Sequence, residues 1–207
     1  MELPKITIEA LADELQKLAR VITDKGEVEK LLKPGDILYT KPRKIDSEGP
    51  HRRAFYAIES KIQGSPYTHV GIYTGNGKII DAGAWTKRDE NSMSVHEVPL
   101  KHFIDRYKFK VLRVDATPSD KKEAINYAKD QVGKDFNTGG MLRLVLPFKR
   151  GPDNDRQRKE DASSFFCSEL VANAYNHVGL VRNKRLEHVM PGDIHRSTKT
   201  KTVARFE

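Results

Sequence analysis

The sequence predicts an α+β fold in which an antiparallel sheet packs against helices. Residues 69–73 and 78–82 alternate between apolar and polar side chains, and the turn-forming segment 74–77 separates them, which is typical of a β-hairpin. Residues 167–178 instead carry apolar side chains at helical spacing, which predicts an amphipathic helix. The two patterns together predict a sheet and a helix with complementary apolar faces.

The first elements lie ahead of the hairpin. Apolar positions at helical spacing predict a helix over residues 7–32, interrupted around residues 24–26. We expect residues 1–32 to form an N-terminal helical extension that packs on a domain formed by residues 33–207. After a Pro-Gly turn at residues 34–35, the pattern predicts a strand at 36–40, a charged loop at 41–53 and a short helix at 55–62.

The elements after the hairpin are also predicted from pattern. Thr117, Pro118 and Asp120 form the clearest helix start in the chain, because they supply an N-cap, a proline at the first position and an acidic third position. Residues 147–162 form a polar insertion that either borders a cleft as a lid or serves as a solvent-facing linker. The other predicted elements are a strand at 92–98, a helix at 100–106, a strand at 109–114 and a helix at 139–146.

Cys167 is the single cysteine of the chain. The apolar repeat places it in the first turn of its helix, with Asp161, Ser163 or Ser164 as the N-cap and Gly179 at the end. A thiol attacks as thiolate, and a helix N-terminus stabilises that form while offering N–H groups to an oxyanion. The alternative is that Cys167 is a small buried hydrophobic residue, which is the commoner use of a lone cysteine.

The register of the hairpin determines whether a cysteine–histidine relay can form. A two-residue turn at Asn76-Gly77 would place Asp81 opposite Ile72, on the face away from His69. A three-residue loop with Gly77 in the left-handed conformation would place Asp81 opposite Gly71 and diagonal to His69 on the same face. Only the second register lets Asp81 orient the imidazole of His69, although each residue alone could be an ordinary sheet residue.

Residues 34 to about 195 resemble the NlpC-type papain-like hydrolases. The resemblance is to the circularly permuted branch, which includes YiiX-like bacterial proteins, a poxvirus relative and, more distantly, lecithin:retinol acyltransferase. The histidine segment precedes the cysteine segment here, as the permuted order requires. The matching segments are KPGDILYT (33–40), SPYTHVGIYTGNGKIIDA (65–82), KVLRV (110–114), VGKDF (132–136), FFCSELVANAYNHVGL (165–180) and PGDI (191–194).

This resemblance implies a papain-like fold and a covalent acyl-enzyme mechanism. Cys167 would be the nucleophile, His69 the general base and Asp81 the third polar residue, where relatives place His, Asn, Gln or Glu. A tyrosine would assist the oxyanion, and the candidates are Tyr39, Tyr56 and Tyr67.

Three functional hypotheses remain open for such a fold. The first is a thiol amidase or peptidase acting on an amide or peptide bond, with cell-wall peptide as one candidate substrate. The second is a lipid-directed acyltransferase or thioesterase, and the third is a non-catalytic basic binding module. A sulfur and an imidazole far apart in the folded chain would favour the third.

Composition limits the partners. With 37 Lys and Arg against 29 Asp and Glu, the net charge is +8, concentrated in residues 41–53, 101–113 and 182–205. Such a surface attracts anionic polymers, envelope surfaces or lipid headgroups. Nucleic-acid motifs, metal-ligand spacings, cofactor loops and a serine-hydrolase elbow are not found in the sequence, so we expect no metal, no cofactor and no nucleic-acid partner.

The cellular location is predicted only in outline. The chain lacks an apolar run long enough for a transmembrane helix, and its first residues do not resemble a secretory signal. With one cysteine it forms no internal disulfide, which suits a reducing compartment. We therefore expect a soluble protein that is cytoplasmic or leaves the cell by a route other than general secretion.

Overall fold

The computed structural model describes residues 20–22, 24–43, 50–83, 94–137, 164–182 and 185–207. Its strands are β1 (Arg20–Ile22), β2 (Ile37–Pro42), β3 (His69–Gly75), β4 (Lys78–Gly83), β5 (Ser94–Pro99), β6 (Tyr107–Val114), β7 (Asp135–Phe136), β8 (Ser164–Phe165) and β9 (Thr200–Phe206). Its α-helices are α1 (Lys25–Leu31), α2 (Pro50–Gln63), α3 (Leu100–Arg106), α4 (Pro118–Asp130), α5 (Cys167–Ala174) and α6 (Pro191–Arg196).

The described strands form one mixed sheet in the order β1-β9-β6-β2-β3-β4-β5-β7-β8. Its pairs are antiparallel except for the two outermost, β1 with β9 and β7 with β8, which are parallel. A hydrophobic cluster covers each face of this sheet. The first cluster includes residues of α4 and α5, and the second includes residues of α1 and α3. The predicted α+β, sheet-on-helix fold is confirmed, with helices on both faces.

The hairpin between β3 and β4 reaches its register by a route that the sequence did not predict. Gly75 pairs with Lys78 across a two-residue turn, and Asn76 and Gly77 both have positive φ, at 51° and 65°. The register then shifts between Tyr73 and Gly75, so that Tyr73 pairs with Ile79. The predicted three-residue loop is therefore wrong. Thr74 is instead an extra, bulged residue in β3, and this bulge gives the strands the same register that a three-residue loop would have given.

The first described residues correct the predicted N-terminal helix. Arg20–Ile22 form a strand and not part of a helix, and this strand pairs with β9 next to the C-terminus. The helix that follows starts at Lys25, where the carboxylate of Asp24 accepts hydrogen bonds from the N–H groups of Gly26 and Glu27. Residues 1–19 lie outside the described part of the chain, so the division into an extension and a domain at residue 32 stays a prediction.

Several other boundaries differ from the prediction. The predicted loop at 41–53 is shorter, because β2 continues to Pro42 and α2 begins at Pro50. The late PGDI segment (191–194) begins α6. The helix after Thr117 is confirmed, with the Thr117 side chain and the Asp120 carboxylate capping each other's backbone N–H groups. The predicted helix at 139–146 and the insertion at 147–162 lie outside the described residues.

The turn before β2 ties three parts of the fold together. Asp36 is 1% exposed and accepts hydrogen bonds from both Nε and Nη2 of Arg113, at 2.9 and 2.7 Å. The hydroxyl of Tyr175, at the end of α5, donates to the carbonyl of Gly35 at 2.6 Å. Gly35 has a φ of +88°, and a Cβ there would lie 2.7 Å from the Tyr175 hydroxyl. The helix that carries Cys167 is thereby fixed to the start of the sheet.

We predict that Gly35→Ala destabilises the protein by about 2–4 kcal/mol, since a methyl group there adds backbone strain and a steric clash. Gly64→Ala is the matched control, because Gly64 also has a positive φ, of +64°, but a Cβ at that position would meet no atom within 4 Å. The control should lose only about 1 kcal/mol. Urea unfolding of both variants measures the difference, and equal losses would contradict the role given to the Tyr175 contact.

Candidate active site

Cys167 is the first residue of α5 and directly follows β8 and Phe166. Phe166 is the N-cap, and its N–H donates to the Glu169 carboxylate at 3.4 Å. The predicted caps are therefore not used as expected: Ser164 belongs to β8, and Asp161 and Ser163 lie outside the described residues. Cys167 is a free cysteine and is buried, with 8% of the residue exposed.

The end of α5 also departs from the prediction. The α-helix stops at Ala174, and a short 3₁₀ segment, Asn176–Val178, leads to Gly179, whose φ is +66°. Gly179 therefore ends the helical region, as predicted, but one 3₁₀ turn beyond the α-helix. The first turn is held by the Ser168 hydroxyl, which donates to the carbonyl of Val189 at 2.7 Å. These contacts fix the direction in which the helix presents Cys167.

His69 connects the helix to the sheet. It is the first residue of β3, and its Nε2 forms a hydrogen bond with Oδ2 of Asp81. The imidazole also interacts electrostatically with the Cys167 side chain. The rings of Phe103 and Tyr107 lie 6.0 and 5.8 Å from the imidazole, between ring centroids. Since these rings belong to one hydrophobic cluster and Cys167 to the other, the imidazole bridges the two faces at the end of the sheet.

The charges around His69 favour its protonated form. Burial alone would lower the pKa of His69, but the charges of Cys167 and Asp81, with the hydrogen bond to Asp81, raise it to about 10. The imidazole is therefore an imidazolium at neutral pH. An imidazolium beside a cysteine stabilises the thiolate form of that cysteine. The three predicted residues are thus brought together in the order sulfur, imidazole, carboxylate.

Two glycines leave room for this arrangement, and sequence analysis did not single either out as a site residue. A Cβ on Gly83 would lie 3.4 Å from Cε1 of His69 and 3.9 Å from Oδ2 of Asp81. A Cβ on Gly71 would lie 3.2 Å from the Cβ of Asp81 and 2.9 Å from Ile79. A Cβ on Gly71 would therefore press against Ile79 and Asp81, whereas a Cβ on Gly83 would reach only ordinary van der Waals contact with the imidazole and the carboxylate. A glycine in a strand is a signal for such close approach.

Glu59 is a second carboxyl group that sequence analysis missed. It lies on α2, is 7% exposed, and interacts electrostatically with His69. Burial raises the pKa of Glu59 to about 8, although the charge of His69 acts to lower it. At neutral pH Glu59 is therefore mostly protonated, and Asp81 supplies the anionic partner of His69. A glutamate inside a charged helix gives no sequence signal of burial.

The three tyrosines proposed for the oxyanion differ in their surroundings. The Tyr39 hydroxyl donates to Oγ of Ser65 at 2.7 Å, so its proton is already used within the fold. Tyr67 is buried, and its ring stacks on that of Tyr39 with centroids 5.0 Å apart. Tyr56 lies half-buried on α2. The oxyanion role stays a prediction for all three.

Metal sites and surface depressions are other places where a ligand could bind. Among the residues described, no group of three or more His, Cys, Asp or Glu side chains is arranged to hold a metal ion. None of the described helices is long and apolar enough to cross a membrane. A surface depression of about 430 Å³ lies at the turn between β3 and β4, lined in part by Thr74, Lys78 and Glu97. It is at the opposite end of β3 from His69 and does not belong to the candidate active site.

The fold is similar to that of a solved structure. The crystal structure of YiiX from Escherichia coli O157:H7, described as a metalloprotein, matches with a TM-score of 0.50 and 16% sequence identity. The match covers 84% of this chain and 97% of that one. At this identity the likeness concerns the fold, and the residues described here do not fit a metal site.

Two curated proteins of Caenorhabditis elegans are similar in sequence. DNA topoisomerase 2 and a DNA topoisomerase-like protein are each 25% identical over 167 residues, covering 72% of this chain. The chain spans 11% of the first protein's length and 19% of the second's. Because the match covers so small a part of these proteins, it assigns no activity to this chain.

Residues 32–144 match the sequence profile of a family of permuted papain-like amidases. The matched region contains His69, Asp81 and Glu59, whereas Cys167 follows it. It covers more than half of the 207 residues and agrees with the fold of the YiiX structure. This chain therefore belongs to the permuted papain-like amidase family of the YaeF/YiiX type, family C92.

Proposed function

We propose that the protein is a cysteine hydrolase that cleaves an amide or peptide bond through an acyl-enzyme on Cys167. The observation that carries the proposal is the position of the His69 imidazole, which is hydrogen-bonded to Asp81 and interacts electrostatically with Cys167. A nucleophile beside a base, with the base oriented by a third group, is the arrangement that nucleophilic catalysis requires. Membership of an amidase family supports the same reaction class.

In the proposed reaction, the Cys167 thiolate attacks the carbonyl carbon of the substrate. The charge that develops on the carbonyl oxygen is accepted by backbone N–H groups in the first turn of α5, which have no partner within a helix. The His69 imidazolium then donates its proton to the leaving amine as the amide bond breaks. Water, deprotonated by the neutral imidazole, attacks the thioester and releases the acid, which regenerates the thiolate and imidazolium pair.

Asp81 acts in this scheme as a positioning residue. Its carboxylate fixes the Nε2 side of the imidazole and stabilises the positive charge on the ring. Glu59 lies near the same ring, but it is mostly protonated at neutral pH and therefore adds little charge. The packing of Phe103 and Tyr107 against the imidazole limits the ring's rotation.

We predict that Cys167→Ala abolishes acyl-enzyme formation and turnover while leaving the fold intact. The measurement is intact-mass analysis after incubation with cell-wall peptide fragments and, separately, with acyl lipids. The wild-type protein should gain the acyl mass from the peptide fragments, and the variant should gain none. His102→Ala, on the exposed side of α3, serves as a control that should retain the adduct. Turnover by Cys167→Ala would refute covalent catalysis, and an adduct from acyl lipids alone would refute the amidase assignment.

We predict that Asp81→Asn lowers kcat less than the loss of Cys167 or His69 does, because Asp81 does not touch the reacting atoms. The pKa of His69 is raised, so its charged form should persist as pH rises until about 10 and then be lost. The basic limb of the wild-type kcat profile should follow that loss.

In Asp81→Asn, the loss of the negative charge should move the basic limb of the kcat profile to lower pH. His96→Gln is the matched control, because His96 lies opposite Asp81 on β5 but bonds to Ser94. An unchanged limb in Asp81→Asn, or an equal shift in His96→Gln, would contradict the positioning role.

A further inference from the structure

The last two turns of α2 bury polar side chains and expose apolar ones. Glu59 and Gln63 are each 7% exposed, whereas Ile58 and Ile62 are 43% and 48% exposed. Residues four apart lie on the same side of a helix, so the buried side is polar and the outer side, where Lys61 is also exposed, carries the isoleucines. Burying a carboxyl group is unfavourable, whereas burying an isoleucine is favourable. The orientation of this helix therefore points to a reason other than hydrophobic burial.

Gln63 shows how α2 is held in this orientation. Its Nε2 donates to the carbonyl of Tyr67 at 2.9 Å, and its Oε1 accepts a hydrogen bond from the N–H of Gly192 at 2.9 Å. These contacts fix the helix against the segment before β3 and against α6. Glu59 lies one turn earlier on the same side of the helix, so its direction is fixed as well. The fold thereby holds a carboxyl group in a buried position.

The buried carboxyl group of Glu59 lies near the histidine of the candidate active site. Glu59 interacts electrostatically with His69, the first residue of β3, and with Tyr39 on β2. Thr40, next to Tyr39, pairs with His69, so both neighbours of Glu59 lie at the same end of the sheet. Glu59 thus reaches the imidazole from α2, whereas Asp81 reaches it from β4.

The titratable groups near Glu59 come from strands, the segment before β3 and two helices. In the described part of the chain they are Tyr39, Tyr67, His69, Asp81, Cys167 and Arg196. Burial raises the pKa of Tyr39 to about 12 and also raises that of Tyr67, so neither phenol ionises near neutral pH. Arg196 is exposed and donates to the Asp193 carboxylate at 3.1 Å. His69 is therefore the group through which a charge on Glu59 acts.

The charge of Glu59 matters for the proposed reaction because the His69 imidazolium must release a proton. Burial raises the pKa of Glu59 to about 8, so this carboxyl group is mostly neutral at pH 7. A second carboxylate near the imidazolium would stabilise the charged ring further. A proton that is held more strongly is transferred more slowly to the leaving amine. A neutral carboxyl group avoids this effect.

We propose that Glu59 is a positioning residue that acts through His69, and that the charge of its carboxyl group sets how readily the imidazolium gives its proton to the leaving amine. Neutral Glu59 leaves the imidazolium acidic enough for acylation of Cys167. Ionised Glu59 slows this step, although no proton passes between Glu59 and the substrate. The effect on the rate rests on the proposed function, but the charge coupling between Glu59 and His69 can be tested without catalysis.

The first arm of the test is an NMR titration of His69 in the wild-type protein, Glu59→Gln and Glu123→Gln. The wild-type signal should show a step near pH 8, where Glu59 ionises, before the ring itself loses its proton near 10. Glu59→Gln should lose this step, and its His69 should deprotonate at lower pH, because no second carboxylate stabilises the ring. Glu123→Gln removes an exposed carboxyl group of α4 and should keep the step. A wild-type curve without the step, or a step that survives in Glu59→Gln, would overturn the coupling.

The second arm measures kcat/KM against pH for a fluorogenic peptide amide with the same three proteins. For the wild type and Glu123→Gln, kcat/KM should fall severalfold through pH 8 to a lower plateau, and this fall should be lost in Glu59→Gln. An identical fall in Glu59→Gln, or no fall in the wild type, would overturn the role of Glu59 in the rate. Failure of Cys167 to form any adduct would instead overturn the proposed function, and the NMR arm would still decide the coupling.

Discussion

The candidate active site depends on the contact of the His69 imidazole with Asp81 on one side and Cys167 on the other. Each partner comes from a different part of the fold: His69 starts β3, Asp81 lies on β4, and Cys167 starts α5. The imidazole gains its charge from both neighbours, because burial alone would lower its pKa. Without either partner, burial would favour the neutral ring.

A single bulge residue makes this contact possible. The Asn76-Gly77 turn alone would place Asp81 on the opposite face of the sheet from His69. The shift at Thr74 restores the shared face, and Gly71 and Gly83 leave space for the two side chains. The active site lies at the other end of the two strands from the turn. The bulge, and not the turn alone, therefore determines the register at the active site.

Local patterns were enough to predict much of this arrangement. The hairpin and the position of Cys167 in a first turn follow from periodicity, and the helix after Thr117 follows from capping chemistry within a few residues. The alternation of β3 and β4 also indicated that His69 and Asp81 must share a face for a relay to exist. The bulge was missed because Thr74 has no distinctive bulge signal, and a three-residue loop accounts for the same register.

The features that were missed depend on contacts between distant segments. The strand Arg20–Ile22 is short and pairs with the last strand of the chain, so its helical periodicity was misleading. Glu59 is buried by contacts outside its own helix, which its helical sequence pattern does not show. Composition indicated the excess of positive charge but could not place the individual cations in the fold.

The charged state of the His69 imidazole can be measured by NMR titration of the wild-type protein and of Cys167→Ala. We expect an imidazolium at pH values well above the ordinary pKa of 6.5, with deprotonation near 10 in the wild type. In Cys167→Ala we expect deprotonation at lower pH, because the negative charge of the sulfur no longer stabilises the ring. A His69 ring that loses its proton near 6.5 in both proteins would show that Cys167 and Asp81 do not charge the imidazole.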